Sequence, residues 1–364
     1  NTTHRLAFPA VFEIDLWGQL AKASEAARND ILVSEENRRT IAQTLVAETI
    51  NLYLQIEASE RRLQIADQSI EAFKRSLQFV ETRYKRGLTA VLDVRQARRL
   101  LAGAETLVPE LQQQLGILQQ QLAVLLGRYP ETRPARSQPE DYYRRPDPVP
   151  TGLPSTLLLR RPDIRAAEAR LVALNQRIGS AKAARFPAIT LTGSYGWNAD
   201  GKDRLFKSDS VIWNISAGVV QPLMDAGRLK ARQRGIEAQY QQAVADYADT
   251  ILNAFAEVEG ALLTRKKQLE RREREIIFLQ EARATQRVAQ NRYIKGLSEY
   301  LDVLDAQQTR FTAEGNLVLV DLNILTNRVN LHRALGGSWA MPEPIVLERD
   351  GYFFDFKTRD TSYE

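Results

Sequence analysis

RYKRGLTAVLDVRQA at residues 83–97 and RYIKGLSEYLDVLDA at residues 292–306 are one turn written twice, 209 residues apart. Arg83 matches Arg292, Tyr84 matches Tyr293, Gly87 matches Gly296, Leu88 matches Leu297, Leu92 matches Leu301 and Asp93 matches Asp302. The same shift, without a gap, pairs Gly18 with Gly227, Leu20 with Leu229, Glu48 with Glu257, Glu105 with Glu314 and Gly127 with Gly336. A register held over this length marks a tandem duplication and hence a repeat architecture. Residue 1 falls opposite residue 210, so the stretch from about 153 to 209 has no counterpart, and a further N-terminal segment is expected in the complete protein.

Outward from the turns the chain reads as helix. Between Gly227 and Gly296, Val244, Ala248, Ile251, Phe255, Val258 and Leu262 alternate four and three apart, a narrow seam that packs as a coiled coil. At ~1.5 Å per residue the stretch is roughly 100 Å long, and the next, from Gly296 to Gly336, about 60 Å. Gly18 to Gly87 and Gly87 to Gly127 repeat both lengths. A helix from Asp163 to about Arg185 adds roughly 35 Å. Stacked on the medium helix it matches the long one, which builds a rod or tube wall.

Between the copies, residues 130–154 hold seven of the 14 prolines, and an extended linker is expected there. From Phe186 the period changes to two. Ile189, Leu191, Tyr195 and Trp197 alternate with Thr190, Thr192, Ser194 and Gly196; after a polar tip, Val211, Trp213, Ile215, Ala217 and Val219 alternate with Ile212, Asn214, Ser216 and Gly218. The pattern is a hairpin with an aromatic-tipped apolar face, fitting either a half-buried soluble sheet or a membrane barrel with lipid outside. Coiled-coil flanks offer no core to cover that face, so lipid is the better partner. Copy one keeps only its second strand, about Leu6 to Ile14, with Pro9 pointing to an edge. One hairpin per repeat gives four strands in a complete chain, too few for the eight or so of the smallest membrane barrels, so closure requires several chains.

Composition narrows the function. The 364 residues are 44% apolar and 26% charged, which is globular composition. There is no Cys, and His4 and His332 are the only histidines, which removes disulfide scaffolds and structural zinc sites and leaves two imidazoles for any metal hydrolase or Ser-His-Asp enzyme. No acid, base and nucleophile stand at credible spacing, so no enzyme, cofactor or metal is expected. The net charge of +5 is spread along the chain and does not indicate nucleic acid. No apolar run reaches the 18 or so residues of a spanning helix.

Three stretches carry a resemblance: LPSTLLLRRPDIRAAEARL (153–171), FEIDLWGQL (12–20) with QPLMDAGRL (221–229), and the paired turns. In these the sequence resembles the TolC-like outer membrane factors that serve resistance-nodulation-division efflux pumps. The resemblance implies a mainly α protein with a small β part. Its long antiparallel coiled-coil helices form a trimeric α-barrel in the periplasm, below a twelve-stranded transmembrane β-barrel in the outer membrane of a Gram-negative bacterium. It implies a passive exit duct, with a periplasmic membrane-fusion adaptor, an inner membrane pump, outer membrane lipid and two further copies of the chain as partners. Many members carry a signal peptide and an N-terminal lipid-bearing cysteine, neither of which this sequence contains. The organisation expected is a first repeat at 1–127, a linker and equatorial region at 128–154, a second repeat at 155–337 containing the hairpin 186–221, and an equatorial tail at 338–364. A soluble coiled-coil scaffold or adaptor is the alternative, and it leaves the hairpin unexplained.

The turn residues then take candidate roles. Gly87 and Gly296 end helices with positive φ, and Thr89 and Ser298 are placed to cap the next ones. In the family these turns meet the adaptor, which makes Gly87, Leu88, Thr89, Gly296, Leu297 and Ser298 docking tips. Asp302 and Asp305 share a helix face with Leu301 alongside. They either complement the helix dipole or, as the family's periplasmic constriction, form acidic rings beside an apolar plug. Copy one keeps Asp93 but has Arg95 and Gln96 opposite Leu304 and Asp305, so only one helix set can form the double ring. Arg83, Tyr84, Arg292 and Tyr293 stand one turn before each tip, placed to tie neighbouring helix pairs to Asp93 or Asp302 or to remain solvated. Ile189, Leu191, Tyr195, Trp197, Val211, Trp213 and Ile215 are the candidate lipid-facing residues.

Overall fold

A computed structural model describes residues 3–136, 143 and 160–337. The remainder of the linker, the first residues of the 153–171 motif and the tail 338–364 lie outside the described residues. The elements in order are β1 (His4–Ile14), α1 (Gln19–Lys85), α2 (Val91–Leu125), α3 (Pro162–Ala183), β2 (Ala188–Ala199), β3 (Val211–Val220), α4 (Arg228–Ile294) and α5 (Tyr300–Ala334). The duplication is kept to the residue: α1 and α4 each have 67 residues, α2 and α5 each have 35, and every one of these boundaries recurs 209 positions later.

Four helix ends, two in each copy, share one turn. At Gly87 the amide donates to the Tyr84 carbonyl and the next amide, Leu88, to Arg83; Gly296 and Leu297 do the same to Tyr293 and Arg292. Gly127 and Gly336 repeat the pattern at the opposite ends of α2 and α5. This bond pair satisfies the last helical carbonyls and requires a left-handed residue, here glycine at φ of 71° at both tips. The strand-to-helix corners also match. Gly18 and Gly227 are left-handed, and Asp15 and Asp225 accept amide hydrogens from Ala21 and Leu229 in the first turn of α1 and α4. Those amide bonds hold both carboxyls below the usual carboxylate range.

The helices lie side by side in one layer, α2 against α1, α1 against α5, α5 against α4. Farther from the tips α3 replaces α5 between α1 and α4. The N-terminus of α3 abuts the C-terminus of α5, where Arg161 donates to the Ala334 carbonyl and Gln43 of α1 donates to the Gly336 carbonyl. The short helix thus stacks on the medium one beside the long one. Burial follows the layer: apolar clusters are strung along the helix seams, many of them built on alanine, and no central core collects them.

β1, β2 and β3 form an antiparallel sheet in that order, with β1 at an edge as Pro9 requires. Among the described residues no helix packs on the sheet beyond the strand–helix junctions. Among the described residues no helix is long and apolar enough to cross a membrane.

Candidate functional site

Two surfaces at opposite ends of the helices are left uncovered by the described residues. The first is the sheet. Its register aligns Leu6 with Trp197 and Val211, Phe8 with Tyr195 and Trp213, and Phe12 with Leu191 and Ala217; Ile14, Ile189 and Val219 close the row. All seven strand residues expected to face lipid therefore share one face. Trp213 and Ile215 are each 70% exposed, and Phe8 is 61% exposed. The other face is mixed but carries the polar residues Thr190, Thr192, Ser194, Asn214 and Ser216 beside Val11 and Ile212, with a side-chain bond of 2.7 Å joining Ser194 to Asn214. Aromatic rings collect at both strand ends: Trp17 stacks on Phe186 at the helix junction, and Tyr195, Trp197 and Phe206 meet edge to face near the hairpin tip. An apolar band flanked by aromatic girdles, backed by a polar face, is the pattern of a barrel strand between lipid and water.

The second surface is the pair of tips. Leu88 and Leu297 are exposed on the two glycine turns. Thr89 and Ser298 do not cap the following helices, contrary to the expectation. The N-caps are Ala90 and Glu299, neither with a side-chain bond: Thr89 and Ser298 each sit one residue too early, and the Thr89 hydroxyl is engaged by the Asp93 carboxylate instead. Behind the tips the two hairpins close on an aromatic cluster. Tyr293 and Tyr300 are buried, with ring centroids 5.1 Å apart; the Tyr300 hydroxyl bonds Ser76 at 2.8 Å, and the Tyr293 hydroxyl lies 3.3 Å from Thr89. Arg83 places its guanidinium 5.2 Å from the Tyr293 ring. Burial pushes the Tyr300 phenol up to about 12, helped by Tyr293 and Asp93 and opposed by the Ser76 bond.

The expected gate-supporting residues separate accordingly. Arg83, Tyr293 and, through Thr89, Asp93 join the two hairpins within the chain. Tyr84 is exposed and Arg292 donates to the Leu297 carbonyl of its own turn, so neither reaches Asp93 or Asp302 within the chain. Leu301, Asp302 and Asp305 are exposed together on the first turns of α5, and neither carboxylate has an ion-pair partner among the described residues.

One constellation escaped sequence reasoning. Arg161, in the RPD of the 153–171 motif, is buried where four helices meet. It grips Asp163 with two bonds of 3.0 and 2.6 Å, Glu257 of α4 at 2.8 Å and the last carbonyl of α5 at 3.1 Å. Pro162 begins α3, where the missing amide costs no helical bond. The signal was there, an Arg-Pro-Asp ahead of an apolar run, but its partners are 96 and 173 residues away.

Comparison with known proteins agrees with this fold. The family model described as "Outer membrane efflux protein" matches residues 4–128 and 153–337. The chain is similar to the cation efflux system protein CusC of Escherichia coli, 33% identical over 330 residues that cover 91% of this chain and 72% of the relative. It is also similar to the pyoverdine export outer membrane protein OpmQ of Pseudomonas putida, 34% identical over 94% of this chain and 73% of the relative. Crystal structures of CusC superimpose with a TM-score of 0.86 at 32% identity, covering 92% of this chain and 78% of that one.

Proposed function

We propose a gating mechanism for this chain, which belongs to the outer membrane efflux protein family and is an efflux channel of the outer membrane with its helices in the periplasm. Three copies close the channel. Each contributes its sheet to a common barrel, apolar face to lipid and polar face to water, and its single helical layer to a tube below. The uncovered flanks of α2 and α4 meet between neighbours. The chain is the exit duct of a tripartite pump: a periplasmic membrane-fusion adaptor meets the tips, and an inner membrane pump of the resistance-nodulation-division class drives export. A wet passage of this kind need not select its cargo, which accords with relatives whose names specify cations and pyoverdine.

The observation that carries the gate is the exposed Asp302 and Asp305 beside Leu301, without an ion-pair partner among the described residues, at the end of the helices farthest from the sheet. About a three-fold axis each Asp appears three times. Like charges brought together disfavour the ionised state, and a cation, a proton or separation of the helices relieves them. Arg83, Tyr293, Tyr300 and Thr89 hold the two hairpins of one chain together, so opening separates hairpin pairs between chains. Tyr84 and Arg292, exposed at the same level, are the residues placed to bridge them. Single-channel conductance in a planar bilayer tests this: the full-length protein with Asp302→Ala and Asp305→Ala gains conductance and loses its response to divalent cations, whereas unchanged conductance and cation response reject the gate.

A further inference from the structure

The middle of the helices lies apart from the residues assigned above to lipid contact, docking and gating, and it holds a wide cavity. There α2 and α5 part on either side of α1, leaving about 630 Å³. The walls include Phe73, Leu100, Ala104 and Phe311, an apolar trough on the tipward side. Gly103 and Gly315 also line it, each inside a 35-residue helix, and neither has a heavy atom within 4 Å of where a Cβ would stand. Interior glycine disfavours a helix relative to alanine, and nothing in the chain presses on these two, so what they provide is open space.

Arg62 lines the end of the trough away from the tips, roughly 16 Å of helix from Phe73. It is half-buried and has no ion-pair partner among the described residues. With Leu319 it also borders a second cavity of about 350 Å³ that continues along α1 among the amides of Asn51, Gln55, Gln114 and Asn323. Among the described residues no Asp or Glu lines either cavity, although the chain carries 45 acidic residues against 50 basic ones, and exposed Arg99 adds a second positive charge at the tipward end.

A half-desolvated cation without a counter-ion, set between an apolar trough and an amide-lined one, has the chemistry to recognise an amphipathic anion. We propose that this groove binds a surfactant-like anion, its apolar body over Phe73 and Phe311, its anionic head on Arg62, and any polar extension among the amides. The site is built within one chain, away from the uncovered flanks of α2 and α4, and it goes beyond the duct reading without depending on the gate.

Fluorescence titration with dansyl-undecanoate tests it, using the full-length protein in lipid nanodiscs and subtracting empty nanodiscs. Saturable, blue-shifted binding at one site per chain is expected. Arg62→Gln weakens it about tenfold, the scale of one charge-assisted hydrogen bond. Gly315→Leu, which has open space to enter and leaves the fold intact by circular dichroism, abolishes it. Dodecanoate displaces the probe and dodecanol does not. Binding to Arg62→Gln as tight as to the parent, or equal displacement by dodecanol, overturns the proposal.

Discussion

Replacing Arg161 with alanine removes a side chain that joins α3, α4 and the end of α5. Its guanidinium makes two bonds to Asp163, one to Glu257 and one to the Ala334 carbonyl, and Arg161 is only 8% exposed. Breaking a fully buried ion pair costs about 3–5 kcal/mol. Here Asp163 and Glu257 are 30% and 42% exposed, so water takes over part of their solvation once the arginine is gone. The cost is reduced accordingly to about 2 kcal/mol, borne by the Ala334 carbonyl and the α5–α3 stack, a roughly 30-fold change in local opening. Hydrogen exchange with mass-spectrometric readout on the last turn of α5 measures that opening directly. The duplication supplies a control: Glu48 stands 209 residues before Glu257, is exposed, and is not a partner of Arg161, whose bonds go to Asp163, Glu257 and the Ala334 carbonyl. Glu257→Gln is therefore expected to speed exchange at the α5 end a few-fold, and Glu48→Gln to leave it unchanged. Exchange at 330–335 that is unaltered in Arg161→Ala, or altered equally by Glu48→Gln, refutes the reasoning.

Gly87→Ala and Gly296→Ala force a Cβ onto φ of 71° and are each expected to destabilise their tip by roughly 1 kcal/mol, read as faster exchange confined to that turn, with Asn tolerated better at the same positions. The Tyr300 phenol is pushed up to about 12 by burial, so its contribution is whole below pH about 10 and is lost as pH rises from about 10 to about 12. A phenolate absorbance titration should show one tyrosine ionising late, absent in Tyr300→Phe. On the sheet, Ile215→Arg should cost about 2–4 kcal/mol of insertion if that face meets lipid, whereas Ser216→Arg on the opposite face should cost far less; the folded fraction recovered from liposome insertion reads both.

The helices and their pairing were legible because a coiled-coil seam and a glycine turn are local signals, and a duplication reads each twice. The strands were legible because Tyr195, Trp197, Trp213 and Ile215 fall on one parity and the polar residues on the other. The caps were misread for a physical reason. A threonine ahead of a helix can bond either the amides of the first turn or a carboxylate four residues on, and in copy one Asp93 takes the hydroxyl. Sequence spacing does not rank those two partners. Nor does it show that Arg161 meets Glu257 and Ala334, because that encounter exists only once α3 has stacked on α5. The difference between Tyr293, buried between hairpins, and Tyr84, exposed at the equivalent position, is likewise set by packing order. The two copies share residues but not neighbours.

Electron microscopy of the full-length protein in a lipid bilayer bears most directly on the claim that two tandem modules line up around an axis to enclose water. The account requires three-fold density with the strands in the bilayer, helices projecting roughly 100 Å beyond it at ~1.5 Å per residue, and a continuous central passage narrowing at Asp302 and Asp305. Strands folded into a compact interior, or a solid centre at the level of the sheet, would contradict it.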